Sequence, residues 1–105
     1  MLSPELKSRI DAEIKSHPVV LFMKGNKLFP MCGFSARAVA VLKEYGDLHT
    51  VDVLQDPEIR EGIKEFSNWP TVPQAYINGK FVGGSDIVRE LAERGELGKM
   101  IQGEG

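Results

Sequence analysis

The sequence predicts a single α/β domain, a four-stranded mixed sheet flanked by helices on both faces. Three observations predict it. Val19-Val20-Leu21-Phe22-Met23 is apolar without alternation, as expected of a central strand covered on both sides. Asn78-Gly79 separates two short runs, 74–77 and 80–83, and Asn-Gly between such runs is the strongest short hairpin signal. Ser3-Pro4 and Asp56-Pro57 each place a capping residue before a proline, the signature of a helix start, and apolar residues at helical spacing follow both. A chain of 105 residues fits about one domain with a core of its own.

In order along the chain, Leu6, Ile10 and Ile14 mark one face of a first helix that stops near His17-Pro18. The 19–23 strand follows, then a loop over 25–30. After Cys32 a second helix carries Phe34, Ala38, Val41, Leu42 and Tyr45 on one face, with Gly46 placed to end it. Thr50-Val51-Asp52-Val53 alternates and reads as a short strand, and Ile59, Ile63 and Phe66 recur along a third helix. Trp69-Pro70-Thr71-Val72-Pro73 has too much proline to continue that helix and too much apolar surface for an ordinary exposed loop. Beyond the hairpin, Ser85 is a candidate N-cap for a helix burying Ile87, Val88, Leu91 and Ala92. A short last helix over 96–102 and a frayed tail, Gly103-Glu104-Gly105, complete the prediction. The first two strands, joined through a helix, are expected to be parallel, and the hairpin adds an antiparallel pair.

Lys and Arg total 13 against 15 Asp and Glu, a net charge of −2, which argues against nucleic-acid or membrane-surface binding. One cysteine excludes a disulfide framework and favours a reducing compartment. No apolar stretch approaches the roughly 20 residues of a membrane span, and Met1-Leu2-Ser3-Pro4-Glu5 lacks the features of a signal peptide. The expected location is the cytoplasm, or a mitochondrial or plastid matrix if a transit peptide has been removed.

A lone cysteine is more often an inert buried hydrophobe than a reactive group. Cys32 differs by its place. It sits where a strand gives way to a helix, with Lys24 at the end of that strand, so the helix N-terminus and a cation both favour the thiolate. Ser35 stands where a dithiol redox motif has its second cysteine, so an intramolecular dithiol cycle is impossible.

Taken together, Met23-Lys24-Gly25, Met31-Cys32-Gly33-Phe34-Ser35, Arg60-Glu61-Gly62-Ile63-Lys64, Ser67-Asn68-Trp69-Pro70-Thr71-Val72-Pro73 and Gly83-Gly84-Ser85-Asp86-Ile87 resemble the monothiol glutaredoxins of the Cys-Gly-Phe-Ser type, within the thioredoxin-like fold. The resemblance implies glutathione binding and a [2Fe-2S] cluster held between two protomers for delivery to acceptor proteins. It implies Cys32 as the reactive thiol and cluster ligand. It also implies a cofactor site of Lys24, Cys32, Phe34, Arg60, Thr71, Val72, Pro73, Gly84, Ser85 and Asp86. Lys24 and Arg60 would take glutathione's glycine carboxylate, and the Val72 main chain the backbone of its cysteine residue. Gly84-Ser85 would take the γ-glutamyl carboxylate and Asp86 the ammonium, although the same residues also serve as a hairpin end and helix cap. Pro73 corresponds to a cis proline. Trp69 reads as packing for that turn and Phe34 as core or cover beside the thiol.

A [2Fe-2S] centre usually takes four thiolates and one protomer offers one, and the resemblance implies that two protomers and two glutathione thiols complete the set. The expected state is therefore a homodimer with cluster and a monomer without, with a BolA-like protein as a further partner by the same resemblance. Ser85 replaces a cysteine common in the family, which removes a possible second thiol, and Lys27, Leu28 and Phe29 lengthen the loop before Cys32 relative to dithiol glutaredoxins. The resemblance reads that loop as favouring cluster assembly over disulfide reduction, hence a carrier with weak or no oxidoreductase activity. The alternative is a glutathione-dependent thiol–disulfide oxidoreductase working with one cysteine.

Overall fold

A computed structural model describes residues 2–103. The expected frayed tail falls partly on Glu104 and Gly105, which lie outside the described residues. The elements are α1 (Pro4–Ser16), β1 (Val19–Met23), α2 (Gly33–Leu42), β2 (His49–Asp52), α3 (Pro57–Ser67), β3 (Gln74–Ile77), β4 (Lys80–Gly83), α4 (Ser85–Glu93) and α5 (Leu97–Ile101). The sheet order is β2-β1-β3-β4, with β1 parallel to β2 and antiparallel to β3, and β3 antiparallel to β4. No helix among the described residues is long and apolar enough to cross a membrane.

The uniform apolarity of β1 follows from its two neighbours. Val19, Leu21 and Met23 face one core with Ala38, Val39, Leu42, Val88 and Leu97 from α2, α4 and α5. Val20 and Phe22 face the other, with Ile10, Ile14, Ile59 and Ile63 from α1 and α3. Successive strand residues point to opposite faces, so a strand covered on both sides offers a polar residue no solvent-facing position. At Asn78-Gly79 both residues take positive φ, 50° and 82°, which is what a tight hairpin turn requires.

The helix starts are capped as their sequences require. Ser3 Oγ accepts from the Leu6 N–H at 3.1 Å, and Asp56 Oδ1 from the Ile59 N–H at 3.2 Å. The Ile59 N–H, reinforced by the Arg9 guanidinium, outweighs slight burial and holds the Asp56 carboxyl below its ordinary value. Its stabilisation is therefore present above the unfolded carboxyl value, about 3.9, and is lost as pH falls through the lower folded value. Asp56→Ala is expected to cost about 1 kcal/mol in urea unfolding at pH 7, with the gap closing toward pH 2. A gap independent of pH contradicts the ionised cap.

Three expectations need correction. The buried face of α2 is Ser35, Ala38, Val39 and Leu42, while Phe34 is 55% exposed and Tyr45 38%. The α-helix ends at Leu42 and a 3-10 turn, Lys43–Tyr45, carries the chain to Gly46, so a face projected at constant α-helical phase runs off the core at Tyr45, while in the first turn the buried place falls to Ser35 and leaves Phe34 outside. The N-cap of α4 is Gly84, and Ser85 is the first helical residue. Ile87, expected in the core, is 37% exposed.

Candidate functional site

Cys32 is the N-cap of α2, in extended backbone, and Sγ accepts from the Ser35 N–H at 3.3 Å. Ser35 is fully buried, with Oγ 3.3 Å from Cys32 Sγ and accepting from the Lys24 N–H at 3.1 Å. The side chain that replaces a second thiol thus joins the end of β1 to the first turn of α2. Partial burial works against an ionised Cys32. Ser35 Oγ, the Ser35 and Phe34 N–H groups and the charge of Lys24 outweigh it, so the thiol lies below the ordinary cysteine value.

The loop before Cys32 is closed by its own backbone. The Gly25 N–H donates to Asp52 Oδ1 at 3.0 Å, the Met31 N–H to the Lys24 carbonyl at 2.8 Å, and Asn26 Oδ1 accepts from Leu28 and Phe29. Lys27 Nζ reaches the Leu48 carbonyl at 2.8 Å. The apolar side chains of this segment have no core to enter. Leu28 is 77% exposed, Phe29 72% and Met31 66%, and Phe34 lies open beside them with the Arg37 guanidinium 4.7 Å from its ring centre. The segment that carries the thiol thus exposes four large apolar side chains.

Beside the thiol is a cleft of about 450 Å³. Apart from Cys32 itself, every predicted cofactor residue lines it: Lys24 just after β1, Phe34 from α2, Arg60 from α3, Thr71, Val72 and Pro73 from the following loop, and Gly84, Ser85 and Asp86 at the start of α4. Val72-Pro73 is a cis peptide, as expected. Lys24 and Arg60 make no salt bridge among the described residues. Among the described residues no side chain caps α4, unlike α1, α2 and α3, and the N–H groups of Ser85, Asp86 and Ile87, all cleft-lining residues, make no hydrogen bond. The Val72 N–H and carbonyl likewise make no hydrogen bond among the described residues.

Lys64, Pro70 and Ile87 also line the cleft, and Trp69 does so while packing on Phe81 at 5.7 Å between ring centres. Lys64 was findable, since it stands one turn beyond Arg60 on the same face of α3. Pro70 and Ile87 carried no comparable signal. Among the described residues no group of three or more His, Cys, Asp or Glu side chains could hold a metal ion. The arrangement is thus a cationic cleft with open main-chain donors and one activated thiol at its edge.

Residues 19–82 match the family model described as Glutaredoxin. The chain belongs to the glutaredoxin family. A ycf64-like uncharacterized monothiol glutaredoxin of Synechocystis is 55% identical over 102 residues, covering 96% of this chain and 95% of that protein. The solution structure of reduced apo GrxS14 from poplar superposes with a TM-score of 0.84 at 46% identity, over 97% of this glutaredoxin and 94% of that chain. A buckwheat glutaredoxin–glutathione complex superposes with a TM-score of 0.81 at 26% identity, over 94% and 89% of the two chains. With Cys32 as its one cysteine, this glutaredoxin is of the monothiol kind.

Proposed function

We propose that this monothiol glutaredoxin binds glutathione in the cleft and, as a dimer, carries a [2Fe-2S] cluster to acceptor proteins. The observation that carries the reading is the place of the chain's one thiol, half-buried beside a cationic cleft and ringed by exposed apolar side chains. A tripeptide with a carboxylate at each end suits that cleft. Lys24 and Arg60 hold the glycine carboxylate, the open amides of α4 receive the γ-glutamyl carboxylate, Asp86 takes the ammonium, and the Val72 main chain pairs with the cysteinyl residue. The complex reported for the buckwheat glutaredoxin supports glutathione as the ligand.

The cluster is cargo, and the donor set fits a shared one. Four thiolates are needed and this chain supplies one, so a second protomer and two glutathione thiols complete them. The exposed Phe29, Met31 and Phe34 give the two protomers an apolar surface to bury around it.

Charge-assisted hydrogen bonds to a carboxylate contribute about 1.5–3 kcal/mol when shielded. Lys24→Ala and Arg60→Ala are each expected to weaken glutathione binding by about tenfold or more in calorimetry. Unchanged affinity in either variant removes that residue from the site.

The lowered Cys32 pKa favours a second activity for the same site. The thiolate attacks a glutathione mixed disulfide at the glutathione sulfur, releasing the partner thiol, and a second glutathione restores Cys32 while leaving as glutathione disulfide. In a coupled reductase assay on a glutathionylated protein, rapid turnover without cluster transfer to an apo-acceptor makes this activity the primary one. Cluster transfer with slow turnover supports the carrier.

A further inference from the structure

We propose that Gln74, a residue outside the cleft, is the positioning residue that holds the glutathione-binding loop in its binding shape. The inference rests on the reading of the cleft given above, and concerns how the Trp69–Pro73 segment is kept ready for its ligand.

Gln74 opens β3, paired with Phe22 of β1, and its side chain is fully buried. A carboxamide is an unexpected choice for such a position, because burying it is unfavourable unless its groups find partners. Here they do. Nε2 donates to the Trp69 carbonyl at 3.1 Å and to the Thr71 carbonyl at 3.0 Å, while Oε1 accepts from the Tyr76 hydroxyl at 3.3 Å. The reversed amide would set Oε1 against two carbonyls, so the orientation is fixed by chemistry. Tyr76 is itself held neutral, since burial raises its phenol to about 12, and remains a donor at physiological pH.

Both amide hydrogens are spent on the loop, and the loop has little else. Among the described residues, the main chain of 70–73 makes no hydrogen bond except the one Thr71 receives from Gln74. Proline at 70 and 73 removes two donors outright. Gln74 therefore grips the segment at Trp69 and Thr71, immediately before Val72, whose own N–H and carbonyl stay free. On the other side a Cβ at Gly84 would lie 3.4 Å from the Pro73 carbonyl, so the same loop abuts the start of α4. A loop fastened from behind at two carbonyls presents Val72 to a ligand without the ordering cost that a slack loop would incur on binding.

The test compares Gln74→Leu, which keeps apolar volume and loses both tethers, with Gln74→Glu, which keeps the shape and offers at most one donor, and with Tyr76→Phe. Tyr76→Phe removes the hydrogen bond at Oε1 but neither tether. Glutathione affinity is read by calorimetry on the folded protein, with urea midpoints alongside and backbone NMR of Trp69, Thr71 and Val72. Gln74→Leu is expected to weaken glutathione binding by about tenfold while remaining folded, Gln74→Glu by a smaller factor, and Tyr76→Phe by less than about twofold. A purely structural role would lower the urea midpoint and leave the affinity of the folded molecules intact, and that result overturns the proposal. If Gln74→Leu does not fold, wild-type affinity in Gln74→Glu overturns it equally. If the wild type itself takes up no glutathione, the reading of the cleft fails instead. The tether is then judged from NMR, where unchanged shifts and order at Thr71 and Val72 in Gln74→Leu overturn it.

Discussion

Cys32→Ser protein, reconstituted without oxygen with iron, sulfide and glutathione, is expected to stay colourless and monomeric. The variant removes one thiolate from each protomer, leaving a pair of protomers with only the two glutathione sulfurs for a centre that takes four. It removes nothing that the fold needs. The thiol's structural task is to accept the Ser35 N–H at the start of α2, and a serine hydroxyl is among the best N-cap acceptors. Thermal stability is therefore expected to hold or rise slightly while cluster loading falls to background, and glutathione affinity changes little because the carboxylate contacts remain. A Cys32→Ser protein with wild-type visible absorption would mean that the cluster sits elsewhere.

The second large effect is expected at Gly25, whose Cα bears no side chain for two separable reasons. Its φ is +87°, which costs a non-glycine residue about 1–2 kcal/mol. In addition a Cβ there would meet the Phe29 carbonyl oxygen at 2.4 Å and the Met31 nitrogen at 2.7 Å, both backbone atoms that cannot swing aside. Relief requires breaking the Gly25–Pro30 bridge and the Met31 to Lys24 hydrogen bond, and these fix the approach to Cys32. Gly95 provides the control, since its φ is +71° with nothing within 4 Å. Gly95→Ala is expected to lower stability by about 1 kcal/mol with normal cluster loading, whereas Gly25→Ala should lose about 2 kcal/mol or more together with most of the loading. Equal urea midpoints for the two variants would show that the loop before Cys32 is not held as described.

The sequence made the sheet legible because its signals were local. A strand buried on both faces favours apolar residues throughout, as 19–23 shows, and this two-residue hairpin takes positive φ at both turn positions, which Asn78-Gly79 accepts. Tyr45 leaves the expected face of α2 because the 3-10 turn after Leu42 changes the angular step, which nothing in Lys43-Glu44-Tyr45 announces. Phe34 leaves it because the buried place in the first turn belongs to Ser35, whose hydroxyl accepts from the Lys24 N–H. At the site, the residues carried by motif resemblance, Lys24, Arg60, Thr71 to Pro73 and Gly84 to Asp86, do converge on one cleft. Gln74 could not be read in this way. Its hydrogen bonds run to residues three and five positions back, across a chain reversal whose shape depends on the packed fold. Polarity at the head of a strand otherwise reads as an exposed edge.

The central claim is that one thiol from each of two protomers, with glutathione, holds the cluster. Native mass spectrometry of the anaerobically reconstituted protein tests it most directly. The expected result is a dimer whose added mass equals one [2Fe-2S] unit and two glutathiones, collapsing to apo monomer when glutathione is withheld. A cluster retained by a monomer, or by a dimer free of glutathione, would contradict it.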